Sequence, residues 1–348
     1  MLHPWSWLLS GVLVFLAGLT QVASDSLDRD EFKSIPLRTH SLASPYLDSD
    51  LSSRWWDFGG DLVIRTDRYI RLASDTPSQS GWIFSRIPLT ATNWEIEFEF
   101  EIQGRGHLHG DGFALWITKD RAKPGNVFGH TDRFEGLGIF FDTYKNNRPG
   151  VVFPYVMGMW GDGKTPYDSD NDGKANEIGG CAARGIRGAT IKPRARLTFI
   201  QDQSLTLDLQ YKTSDTWTRC FKLEASDLPG NVPNGLRLPT TAYLGLSAHT
   251  GELSDNFDII SLTTNNLYRP VAQASSGDSS SSSSKAKQPG MKKTRPGSNR
   301  KNRKSGGGGG SWLGFFFKIL LFAALVAGGF YGYKAYKAHQ NRDRFKGF

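Results

Sequence analysis

The sequence predicts an all-β fold, an antiparallel sandwich of jelly-roll type, over residues 25–270 of a 348-residue chain. Three observations carry that reading. WEIEFEFEI (Trp94 to Ile102) alternates strictly, sending Trp94, Ile96, Phe98, Phe100 and Ile102 to one face and four glutamates to the other, as a half-buried strand requires. RLTFI and LTLDLQY flank the short turn QDQS and read as a hairpin. GLGIFFDTY, FALWIT and AYLGLSA are apolar and rich in strand formers, as buried central strands should be. Between Phe32 and Leu267 no stretch has a convincing helical period.

The ends of the chain have a different composition. Leu8 to Leu19 form an apolar run followed by the small residues Val22, Ala23 and Ser24, so residues 1–24 read as a secretory signal peptide. Its first residues, MLHPWSW, hold no Lys or Arg, which leaves a retained signal anchor as the alternative. Residues 271–311 pass from serine-rich through lysine- and arginine-rich to GGGGG, the composition of a disordered tether. Trp312 to Tyr333 is apolar and long enough to cross a bilayer as a helix, with Lys318 shallow enough to snorkel. Residues 334–348 then form a cytosolic tail, which makes the chain a single-pass type I membrane protein with residues 25–311 lumenal or extracellular.

The local positive-inside count opposes this topology, because nine Lys and Arg from Lys285 to Lys304 exceed the five after Tyr333. The signal peptide is taken as decisive because it acts first during translocation. In the tail, Arg344 and Lys346 stand where a dibasic retrieval signal lies, and the terminal Phe348 resembles an ER-exit signal. These three residues predict binding to vesicle coat components. The tether has neither heptads nor cysteine, so no oligomer is expected through it.

The formal charge of +8 is concentrated in the tether and tail. Once their basic residues are set aside, the sandwich region is mildly acidic, which argues against nucleic acid as its ligand. The two cysteines, Cys181 and Cys220, most simply pair in an oxidising compartment, two buried thiols being the alternative. No Asn-x-Ser/Thr acceptor occurs, so the chain is not its own sugar ligand.

YDSDNDG (Tyr167 to Gly173) looks like the start of an EF-hand loop. Counting from Asp168, positions 1, 3, 5 and 6 are right, but position 12 is Gly179 where a bidentate glutamate is needed. The flanks also lack helices, so the stretch is not an EF-hand. In FFDTYKNN, Asp142, the Tyr144 carbonyl and Asn146 offer oxygens within one turn, and Asp172 is a candidate further carboxylate, the kind of set a hard cation takes.

Taken in order, HGDGFALWITKD, GLGIFFDTYKNN, VFPYV, the DG at 172–173, GC at 180–181 and GELSDNFDIIS resemble the leguminous-type (L-type) lectins of the early secretory pathway. The likeness covers nearly the whole lumenal region and is greatest to the vesicular integral-membrane lectins. It implies a legume-lectin-like sandwich in which Asp142, the Tyr144 carbonyl, Asn146 and Asp172 bind one Ca2+. Asn146 and Asp111 would then hydrogen-bond mannose hydroxyls, the Tyr144 ring would pack on the sugar, and backbone amides of Gly251, Glu252 and Leu253 would complete the site. A cis peptide before Asp111 is implied too.

The implied ligands are high-mannose N-glycans of glycoprotein cargo, and the implied location is the ER, the ER-Golgi intermediate compartment or the Golgi membrane. One departure stands out: where the family has a histidine three residues before the aspartate matching Asp172, this chain has Ser169. His249 reads as an ordinary surface histidine, the alternative being an approach to the site from its own loop. Two other readings follow from the residues. Glu95, Glu97, Glu99 and Glu101 share one strand face, which a glycoside hydrolase would need, although the usual hydrolase spacing is absent. Ser169 favours a lectin-like scaffold that has lost sugar binding and recruits cargo by protein contacts.

Overall fold

The computed structural model describes residues 31–232 and 235–270. The signal peptide, the tether, the span at 312–333 and the tail with Arg344, Lys346 and Phe348 lie outside the described residues. Among those described, no helix is long and apolar enough to cross a membrane.

Fifteen strands follow in chain order: β1 (Lys33–Pro36), β2 (Trp56–Gly60), β3 (Val63–Arg65), β4 (Tyr69–Ala73), β5 (Ser80–Ser85), β6 (Asn93–Gln103), β7 (Gly112–Thr118), β8 (Glu135–Asp142), β9 (Tyr155–Asp162), β10 (Glu177–Ala182), β11 (Arg194–Ile200), β12 (Ser204–Gln210), β13 (Thr218–Glu224), β14 (Tyr243–His249) and β15 (Asn256–Tyr268). Among the described residues the helical elements are two short 3-10 turns, Arg38–His40 and Ser169–Asn171. The strands form two antiparallel sheets. One is ordered β13-β12-β11-β6-β15-β4-β3 with β1 also on β15, and the other β10-β9-β8-β7-β14-β5-β2.

The alternating strand behaves as its period demands: in β6 the Trp94, Ile96, Phe98, Phe100 and Ile102 side chains are buried while the four glutamates are only half-buried. The predicted hairpin is β11 and β12, paired from Arg194 opposite Gln210 to Ile200 opposite Ser204. In β7, β8 and β14 nearly every residue is buried, and the reason is that both faces of their sheet are covered. Phe113, Leu115, Ile117, Leu137, Ile139, Phe141, Leu244 and Leu246 point into the core between the sheets. Ala114, Trp116, Phe140, Met157 and Met159 point the other way, into a second core that Val127, Phe128 and Phe134 help to close.

Cys181 on β10 and Cys220 on β13 form a disulfide across 39 residues of sequence, tying an edge of one sheet to an edge of the other. By the chain-entropy argument such a link stabilises a fold by up to about 4 kcal/mol.

Candidate functional site

One end of the seven-stranded sheet gathers the residues singled out in the sequence. Antiparallel register places Asp142, the last residue of β8, opposite both Gly112 of β7 and Tyr155 of β9. His249, the last residue of β14, also lies opposite Gly112. Asp111, immediately before β7, therefore falls between the ends of β8 and β14. The peptide from Gly110 to Asp111 is cis. Gly112 is confined to glycine: its φ is +155°, and a Cβ there would sit 2.3 Å from the Phe141 carbonyl oxygen.

Beyond β8 the chain turns through Thr143 to Asn147 over a second loop that carries Asp172. Asp142 and Asp172 are buried, at 6% and 2% exposure. Burial pushes the Asp142 carboxyl well above the usual carboxylate range; the Asp172 charge pushes it further, and the Tyr144 N–H, donating to Oδ1 at 3.0 Å, partly opposes this. Asp172 accepts from the backbone N–H groups of Asn146 and Arg148, at 3.0 and 3.1 Å. It also accepts from the Asn146 side-chain amide at 2.8 Å.

Among the described residues no three His, Cys, Asp or Glu side chains form a group that could hold a metal. Two carboxylates, if completed by the Tyr144 carbonyl and the Asn146 amide oxygen, would make an all-oxygen set that suits a hard cation and no soft one. A buried carboxyl whose proton affinity is raised by burial and by a neighbouring carboxylate, as at Asp142, is what such a cation relieves. The Asn146 amide turns its nitrogen toward Asp172 and the Ser169 carbonyl, at 2.8 and 3.0 Å, so its oxygen would join the set only after a half-turn of the amide.

Asp111 stands beside this pair at the surface. Its carbonyl accepts from the Thr143 N–H and hydroxyl at 2.9 and 3.0 Å. The Tyr144 ring is 39% exposed and lies against Gly110, where an added Cβ would come 3.0 Å from the Tyr144 Cβ. Gly251 approaches the Asp111 carboxylate so closely that a Cβ would be 3.2 Å from both oxygens. Glu252 is exposed and Leu253 half-buried, its Cβ facing Gly110. Asp111, Tyr144, Asn146 and Gly251–Leu253 thus gather at one surface, over the buried Asp142 and Asp172. Asp168 and Asp170 do not join them: the Asp168 carboxylate caps its own turn by accepting from the Asn171 N–H, and Asp170 is exposed.

A sequence model of the legume-like lectin family matches residues 33–274. The chain belongs to the legume-like lectin family. An L-type lectin-like domain-containing protein of Schizosaccharomyces pombe is 41% identical over 229 residues, 65% of this chain and 70% of that protein. The VIP36-like protein of Mus musculus is 40% identical over 232 residues, 65% of this chain but only 62% of its own length. Among solved structures, the exoplasmic/lumenal domain of VIP36 in its Ca2+/Man2-bound form has a TM-score of 0.61 at 36% identity, covering 68% of this chain and 92% of that one. The Emp47p carbohydrate recognition domain, at 19% identity and a TM-score of 0.52, shares the fold.

In this chain the four glutamates of β6 lie on the other sheet, and all four are held in ion pairs or hydrogen bonds, Glu101 by the Gln103 side-chain amide. Glu97 meets Arg194 and Arg196, Glu99 meets Lys192, and Glu95 accepts from Thr198. Sequence reasoning missed the scaffold around the site. Buried Asp255 takes a bidentate contact from Nε and Nη2 of Arg187, and the same Nη2 reaches the Gly104 and Gly106 carbonyls at 3.2 and 3.1 Å. Asp75 joins the same loops by accepting from the Arg105 N–H and the Ser254 hydroxyl. The Ser78 N–H donates to the Gly251 carbonyl at 2.9 Å. His249 is no ordinary surface histidine, because its Nδ1 lies 2.8 Å from Asp111 Oδ2. The motif GELSDNFDIIS contained Asp255, but nothing local to it named Arg187.

Proposed function

We propose that this chain is a calcium-dependent lectin for high-mannose N-glycans and acts as a membrane cargo receptor between ER and Golgi. The observation that carries the reading is the pair of buried carboxylates, Asp142 and Asp172, beneath a surface formed by Asp111, Tyr144, Asn146 and Gly251–Leu253. VIP36 has been solved in Ca2+/Man2-bound and Ca2+/Man3GlcNAc-bound forms, and at 36% and 35% identity those structures support the same chemistry here.

In this reading Asp142, Asp172, the Tyr144 carbonyl and the Asn146 amide oxygen hold the ion. Bound calcium supplies a fixed positive charge that offsets the two carboxylates and orders the loop at 142–148. The ordered Asn146 amide donates to, and the Asp111 carboxylate accepts from, adjacent sugar hydroxyls. Tyr144 covers the apolar face of the ring. The N–H groups of Gly251, Glu252 and Leu253, which donate to no protein acceptor among the described residues, supply further donors. No bond of the sugar is broken: the glutamates a hydrolase would use lie on the opposite sheet.

The signal peptide, the span at 312–333 and the tail residues Arg344, Lys346 and Phe348 complete the proposal, with the sandwich lumenal and coat components engaged from the cytosol. Ser169 favours a second reading, a scaffold without sugar binding. A glycan array probed with the full-length chain in detergent, with calcium and with chelator, separates the two. Calcium-dependent binding to mannose-terminated glycans supports the lectin; a folded protein that binds none supports the scaffold.

A further inference from the structure

We infer that His249 is a positioning residue of the sugar site: it fixes the side chain of Asp111 so that one carboxylate oxygen is presented to the ligand. The inference rests on the lectin reading above and names a residue which that reading does not use.

Register puts the two residues together. At the end of β14, His249 is opposite Gly112 on one side and Ser80 on the other, so its ring stands next to the residue before Gly112. It then holds Asp111 at two points. The His249 carbonyl accepts the Asp111 N–H at 3.2 Å, and its Nδ1 meets Oδ2 at 2.8 Å. Thr143 holds the Asp111 carbonyl from the other side. The backbone is thereby fixed, and the remaining freedom of Asp111 is rotation of its side chain.

That freedom matters because the group is exposed. The Asp111 and His249 side chains are 37% and 34% exposed, and an aspartate so placed would otherwise divide its time among staggered rotamers. A carboxylate cannot donate, so the contact requires a proton on Nδ1, in either the neutral ring or the imidazolium. Oδ2 is committed to the ring, whereas Oδ1 has no protein partner among the described residues and is the oxygen left for a sugar hydroxyl. Gly251 keeps that side open, since a side chain there would press on both oxygens. Holding the acceptor in one orientation before the sugar arrives removes an ordering cost from binding.

The test is the affinity of the full-length chain in detergent for a high-mannose glycan in calcium. It compares wild type with His249→Ala, His249→Asn and His249→Gln, with calcium-induced thermal stabilisation measured in parallel. Asparagine carries its N–H one bond from Cγ, where the imidazole carries Nδ1, whereas glutamine carries it one bond farther out. His249→Ala should weaken binding about tenfold, the loss of one hydrogen bond to a charged group. His249→Asn should recover to within about threefold of wild type, and His249→Gln should stay near the alanine level. The calcium shift should be the same in all four proteins.

Wild-type affinity in His249→Ala would overturn the inference, as would an asparagine variant no better than glutamine. If the alanine variant fails to fold, the asparagine and glutamine pair decides alone. A folded wild type that binds no mannose glycan overturns the lectin reading and this inference together. Normal wild-type binding with an indifferent His249 overturns the inference alone.

Discussion

Asn146 donates both its backbone N–H and its side-chain amide to one carboxylate, that of Asp172, at 3.0 and 2.8 Å. The contact crosses 26 residues of sequence and fastens the turn after β8 to the loop that carries Asp172. Asp172→Ala leaves the buried Arg148 N–H and the Asn146 N–H without an acceptor, so it should destabilise the domain by about 1–3 kcal/mol in chemical denaturation. Asn146→Ala keeps the backbone contact and removes the side-chain amide's bonds to Asp172 and the Ser169 carbonyl. It should cost only about 1 kcal/mol while abolishing glycan binding. Equal damage to stability from both would show that Asn146 is structural.

Asp142 is the residue on which metal removal should act. In the absence of an ion its charge is buried beside that of Asp172. Calcium at about 100 times its Kd should stabilise the chain by about 2.7 kcal/mol, reversed by chelator. Asp142→Asn should be at least as stable as the metal-free wild type, since a buried charge is gone, and should no longer respond to calcium. Thermal melts with calcium and with chelator measure both effects.

Much of this was legible in sequence because it is local. The period of β6 is written in five apolar residues and four glutamates, and Asp142, Tyr144 and Asn146 fall within one turn of FFDTYKNN. What joins distant segments was not. His249 and Asp111 are 138 residues apart, and Arg187 and Asp255 are 68 apart. Each pair is set by sheet register and loop closure, which leave no periodic trace in either segment. For the same reason the apolar run of β8 announced burial without saying that alternate residues serve two different cores.

Acid should weaken the fold through His130. The ring is 1% exposed, packs 4.7 Å from Trp116 and 5.0 Å from Phe84, and has no partner for Nε2 among the described residues. Burial lowers its pKa to about 4 from 6.5. Above pH 6.5 the ring is neutral in both folded and unfolded chains and its contribution is fully present. Between 6.5 and 4 the unfolded chain takes up a proton that the folded one refuses, so stability falls, by up to about 3 kcal/mol at pH 4. His130→Phe keeps the ring packing and should flatten this part of the pH profile of urea unfolding. An unchanged profile would assign the acid sensitivity to other groups.

Arg148 underlies the site. It is 7% exposed, lies over the Tyr155 ring at 4.4 Å, pairs with Glu177 and reaches the Asp172 carbonyl at 3.3 Å. Arg148→Met should cost about 3–5 kcal/mol because Glu177 is left partly buried without its partner. Adding Glu177→Gln should recover part of that loss. A double variant no better than the single would show that packing over Tyr155, and not the charge, is what Arg148 contributes.

The most direct measurement is a calorimetric titration of the full-length chain in detergent with a high-mannose glycan, in calcium and in chelator. A lectin site built on Asp142 and Asp172 predicts saturable binding in calcium, none in chelator, and none for Asn146→Ala in either. Binding that persists in chelator, or a folded wild type that binds in neither condition, would contradict it.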